Sequence, residues 1–113
     1  MDKTLPLIKT HIIAMKTSRI MVIGSKVTTV QSVSSYCLKY NFEVFPYYGI
    51  PLVEEITLFD PHALVLCLPM PNDFQVQVIQ PYILWSEQPS SGKSLSVSTA
   101  TELYTSLQKV LAA

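Results

Sequence analysis

The order of apolar segments predicts an α/β domain: a three-layer sandwich whose mainly parallel sheet of about five strands is shortened in its second half. Three observations carry this expectation. Ile20-Met21-Val22-Ile23 and Ala63-Leu64-Val65-Leu66-Cys67-Leu68 are continuous apolar runs, the pattern of strands buried on both faces. Between them Val30, Val33, Cys37 and Tyr40 recur at helical spacing, and Phe42-Glu43-Val44-Phe45 alternates as a strand. Strand, helix, strand, helix, strand is the order that builds a parallel sheet with helices packed over it.

Each element has its own boundary signals. The first strand ends at Gly24-Ser25, and the helix after it begins near Thr28-Thr29 and ends near Asn41. The second strand stops at Pro46, and Pro51 is placed as the first residue of a second helix whose apolar side is Leu52, Ile56 and Phe59. Asp60-Pro61 breaks that helix ahead of the third strand. Phe74 to Val78 fits a short helix or a strand and is read as a helix, Tyr82-Ile83-Leu84-Trp85 is a fourth strand, and Leu95-Ser96-Val97 is a weaker fifth. Thr99 followed by Glu102 is a capping-box pattern, with Leu103, Leu107, Val110 and Leu111 as the core side of the last helix. Only nine residues separate Trp85 from Leu95, too few for an ordinary helical crossover, so the last two strands are either parallel with a loop between them or an antiparallel hairpin through Pro89-Ser90-Ser91-Gly92. The domain spans 19–113. Residues 1–18 form an N-terminal extension, and Met15 offers an alternative start just before the first strand, leaving two readings of residues 1–14.

Composition narrows the function. Of 113 residues only 14% are charged, which leaves less polar surface than a small monomer usually carries and points to a protein partner or a second copy of the chain. Eight basic residues balance eight acidic ones, so no long-range field draws the chain to nucleic acid or anionic lipid. No run reaches the ~20 apolar residues of a membrane span, no secretory signal is recognisable, and two cysteines in apolar runs fit a reduced cytoplasm.

Several local strings resemble the receiver domain of bacterial response regulators. Pro61-His62-Ala63-Leu64-Val65-Leu66-Cys67-Leu68-Pro69-Met70-Pro71 is similar to that family's third strand and the Met-Pro step after it, and Pro81-Tyr82-Ile83-Leu84-Trp85-Ser86 to its fourth, with Ser86 at the Ser/Thr switch position. The resemblance covers 19–113 and implies a flavodoxin-like sheet. It also shows what is missing. Cys67 stands where the family has its acceptor aspartate, Gly24 and Ser25 where it has an acidic pair, and Val97 and Ser98 where it has a Lys-Pro step. Phosphoryl transfer to a carboxylate needs a hard-oxygen cage for Mg²⁺ and a lysine against the phosphoryl charge, and these positions supply neither. The resemblance therefore implies a pseudo-receiver: a non-catalytic protein–protein interaction module in signalling, with no cofactor, no metal and no catalytic residue.

Other constellations are weaker. The alternative function is a small flavodoxin-like domain that binds an anionic metabolite or nucleotide at Gly24-Ser25, because open α/β sheets take ligands at strand ends beside a helix N-terminus. The plainer reading is a tight turn at Gly24 with Ser25 or Thr28 capping the helix. Gly92-Lys93-Ser94 lacks the earlier glycine of a phosphate loop, since Glu87 stands there. Cys67 as a redox sensor competes with Cys67 as a small core residue, and the latter is favoured for want of a neighbouring base. His11 and His62 have no Cys or His at ligand spacing. Tyr47 and Tyr48, in the loop expected after the second strand, are the candidate contact residues, against the alternative that such rings fill the core edge.

Overall fold

The computed structural model describes residues 17–71, 74, 78–88 and 96–112. Among these residues four strands, β1 (Arg19–Gly24), β2 (Glu43–Tyr48), β3 (Ala63–Cys67) and β4 (Tyr82–Trp85), and three helices, α1 (Val27–Lys39), α2 (Val53–Phe59) and α3 (Ala100–Ala112), follow one another. Every strand pairing is parallel, and the order across the sheet is β2-β1-β3-β4, the arrangement of a doubly wound, flavodoxin-like sheet. Among the described residues the expected fifth strand is represented by a single parallel bridge between Trp85 and Val97, fixed by Ser86 N–H to Val97 O at 2.9 Å and Val97 N–H to Leu84 O at 2.8 Å. That bridge settles the direction of the last segment against the hairpin.

Alternation along the strands divides the core into two layers. Ile20, Val22, Ala63, Val65, Cys67, Ile83 and Trp85 face α1 and α3, meeting Val30, Val33, Cys37, Leu103 and Leu107. Met21, Ile23, Leu64 and Leu66 face the other way, onto Ile56 of α2 and Phe74. Strands β1 and β3 are buried on both faces, which is why their sequences are apolar without interruption. The α3 cap is as the sequence reads it: Thr99 Oγ1 accepts from Glu102 N–H at 3.1 Å, and Glu102 Oε1 accepts from Ser98 N–H at 2.9 Å.

Three boundaries differ from the sequence expectation. Helix α1 begins at Val27 with Lys26 as its N-cap and no side-chain cap, so Thr28 and Thr29 lie inside the first turn. Strand β2 runs through Pro46 to Tyr48. A proline is tolerated there because β2 is an edge strand: Glu43 N–H and Gly49 N–H both point at β1, donating to Ser18 O and Gly24 O, so the odd-numbered donors face inward. The missing N–H of Pro46 falls on the outer side. Helix α2 starts at Val53, two residues after Pro51, and Leu52 is its exposed N-cap. Its first turn is held by Glu55 Oε1, which accepts from Leu52 N–H at 2.8 Å. The extension at 1–16, the centre of the expected Phe74–Val78 helix, Leu95 and the Pro89–Gly92 turn lie outside the described residues.

Candidate functional site

Two places on this frame concentrate chemistry: the carboxyl ends of the central strands and the outer corner where α2 leans on β2.

At the first, β1 and β3 end side by side and the chain leaves them for opposite faces of the sheet, the position where open α/β sheets form a crevice. Here the crevice is filled. Gly24 is buried, and a Cβ added to it would stand 2.8 Å from Cys67 Cβ and 2.9 Å from Val30 Cγ2. Overpacking of that kind costs about 1–3 kcal/mol, so the glycine is required by close packing. Cys67 is 3% exposed, and burial, with smaller contributions from Cys37 and Glu87, pushes its thiol up to about 12. Burial alone does the same to Cys37. Neither thiol forms a thiolate near neutral pH, which agrees with the core reading of both.

Above this packed floor a polar tie crosses from β4 to α1. Thr29, 2% exposed, donates its hydroxyl to Glu87 Oε2 at 2.5 Å, and Lys26 Nζ lies 3.5 Å from Glu87 Oε1. The short bond from a buried hydroxyl to a charged acceptor outweighs the lysine pair, because Lys26 and Glu87 are both half-exposed and such pairs contribute little. The Thr29 bond, then Lys26, hold the Glu87 carboxyl below its ordinary 4.5 against the opposing effect of desolvation. An anion from the chain itself thus stands at the N-terminal turn of α1. Ser25 is exposed beside it, and Ser86 is turned elsewhere, donating to Gln88 O at 3.0 Å. Val97 carries the bridge to β4. The sequence positions Gly24, Ser25, Cys67, Ser86 and Val97 are therefore brought to one edge of the sheet. Thr29 and Glu87, which join that edge together, lie 58 residues apart and leave no local signal in the sequence.

The second place is a groove of about 430 Å³ lined by Val44, Phe45, Tyr47, Glu55, Leu58 and Phe59. Phe45 packs on Phe59 with ring centroids 5.0 Å apart and meets Tyr47 edge-on at 6.4 Å. Tyr47 donates its hydroxyl to Glu55 Oε1 at 2.8 Å, the same oxygen that holds Leu52 N–H. Those two bonds, the backbone one first, draw the Glu55 carboxyl below its usual value, and the Tyr47 phenol is raised in return. Tyr47 and Tyr48 are not one patch. They belong to β2, and strand alternation sends Tyr47 to the α2 side while Tyr48, 48% exposed, projects from the opposite face. Leu58, 85% exposed, was missed by the sequence reading because it lies off the core face of α2.

His62 is a backbone anchor at the opposite edge of the sheet: its Nδ1 accepts from Arg19 N–H at 2.8 Å, while the Arg19 side chain bonds Asp60. Among the described residues no group of three or more His, Cys, Asp or Glu side chains is placed to hold a metal ion, and no helix is long and apolar enough to cross a membrane. The chain matches no known protein-family model and no curated protein at a significant level.

The tie at Glu87 has a pH signature. A carboxyl depressed on folding stabilises the fold above its ordinary value of 4.5, and that contribution is lost as pH falls through the lower folded value. Glu87→Gln keeps a hydrogen-bond acceptor for Thr29 and removes the charge. Urea unfolding is expected to show the variant less stable than wild type at neutral pH, with the gap narrowing as pH falls below the ordinary carboxyl value of 4.5. A gap of equal size at neutral and acidic pH would show that the charge plays no part in the tie.

Proposed function

We propose that this chain is a cytoplasmic, non-catalytic pseudo-receiver that acts by binding a protein partner in a signalling or regulatory assembly. The observation that carries the reading is the state of the strand ends. In a phosphorylatable receiver the end of the third strand offers an open carboxylate; here Cys67 occupies that position as a protonated thiol sealed against Gly24 and Val30. A hydroxyl at the switch position has nothing to answer to, and Ser86 is bonded to Gln88 instead. The alternative of an anionic ligand at Gly24-Ser25 is disfavoured by the same geometry. The Glu87 carboxylate already stands at the start of α1 and would repel an incoming phosphate or carboxylate.

Binding is supported by what the sheet leaves uncovered. Phe45, Tyr48, Ile50, Leu52, Val53 and Leu58 are all more than a third exposed, and they belong to β2, α2 and the turn between them. Single exposed apolar residues are ordinary, but six within one strand–turn–helix unit, with Tyr48 on the opposite face of β2 from Phe45, support a binding role for this corner of the fold.

Two measurements test the proposal. Titration of the ¹⁵N-labelled protein with Mg²⁺ and beryllofluoride is expected to leave the amides of Gly24, Ser25, Cys67 and Ser86 in place; saturable shifts there would mean that the phosphoryl site survives. Affinity capture from the source lysate should return a stoichiometric protein that is lost with Tyr48→Ala or with Leu58→Ser, the two variants reporting on opposite faces. Absence of any such protein with the wild type would overturn the interaction reading.

A further inference from the structure

We infer that the groove between β2 and α2 binds a basic, apolar polypeptide segment that inserts side chains into it and does not add a strand to the sheet. The inference rests on the interaction reading above and names the chemistry of the partner.

Charge is the first argument. Residues 41–60, which make β2, the turn and α2, contain Glu43, Glu54, Glu55 and Asp60, half of the chain's eight acidic residues, and no lysine or arginine. Asp60 is taken by Arg19 at 3.1 Å. The remaining three border the apolar surface. Glu43 shares a strand face with Phe45 and Tyr47, and Glu54 and Glu55 stand one helical turn before Leu58 and Phe59 on the same columns of α2. Glu55 is fixed in orientation by Tyr47 and Leu52, so the groove wall carries an oriented carboxylate. A ligand that covers the apolar floor must answer these charges, and a basic one does so at the rim, where complementary charge sets selectivity and on-rate.

The backbone supplies the second argument. An edge strand ordinarily invites another strand, and β2 has its outer side open among the described residues. Pro46 interrupts that side at its centre, where it offers no donor. The occupant is thus held by side chains: an exposed Leu58 on one wall, Phe45 and Phe59 below. A second copy of this chain fits poorly, because a two-fold contact through the groove sets the same three carboxylates against one another, residues 41–60 hold no lysine or arginine, and the neighbouring Arg19 is already engaged by Asp60.

The test uses the full ¹⁵N-labelled chain and three synthetic peptides of equal length that share one amphipathic leucine pattern and carry lysine, glutamine or glutamate at the polar positions. The lysine peptide is expected to shift amides of Val44–Tyr48 and Val53–Phe59. Its affinity should fall with added salt, drop by roughly two- to fivefold for each of Glu43→Gln and Glu54→Gln, and vanish with Leu58→Ser. Equal binding of the glutamate peptide in the groove would overturn the basic-partner inference and leave the interaction module standing. Shifts confined to another surface, or none with any peptide, would overturn the groove itself. Light scattering on the free chain closes the remaining route: a dimer dispersed by Leu58→Ser would assign the groove to a second copy and contradict the inference.

Discussion

The contact between Gly24 and Cys67 is the constraint on which the rest of the carboxyl edge depends. It lets β1 and β3 end flush at the point where the chain diverges to the two faces of the sheet, and it leaves no room for a side chain at residue 24. A larger residue at either position would separate the strand ends and open the crevice that Val30 now fills. With the floor packed, Thr29 and Glu87 can meet over it, and the end of β4, already packed on α1 through Trp85 and Tyr36, is tied to the first turn of that helix. The result is an edge at which Thr29, Glu87 and Lys26 answer one another.

Closing that edge moves the accessible chemistry elsewhere. The two helices over one face of β1 and β3 have 13 residues each, whereas α2 has only seven, sets Ile56 on the other face of those strands and leans its Phe59 on Phe45 of the edge strand. A short helix buries one column well, here Ile56, and leaves the next columns in water. Leu58 and Glu54 are on those columns. Apolar surface and carboxylates accordingly lie together at the β2–α2 corner, where the proposal places binding, and not at the strand ends that such sheets commonly use for ligands.

Much of the frame was legible in sequence because the strongest signals are also the most local. Uninterrupted apolar runs at 20–23 and 63–67 can be little else than central strands, and the Thr99–Glu102 cap announces α3. Pro46 misled because a proline normally ends a strand; only the sheet order shows it facing outward from an edge. Tyr47 and Tyr48 lie in β2 and not in a loop after it, and a strand that continues through Pro46 turns these consecutive rings to opposite faces. Cys67 was read correctly as core, but its neighbour across the sheet was not visible, and neither was the Thr29–Glu87 bond. Such pairs are set by tertiary packing and have no periodicity to betray them.

The measurement that bears most directly on this account is the labelling rate of Cys67 in a Cys37→Ser background, followed with a small thiol reagent across a urea series. If Cys67 is sealed against Gly24 and Val30, labelling in native buffer is slow and accelerates in step with global unfolding, as expected for a site that opens only with the whole domain. Rapid labelling that is independent of urea would mean that the edge opens by itself, and the packed strand ends on which the proposed function rests would be contradicted.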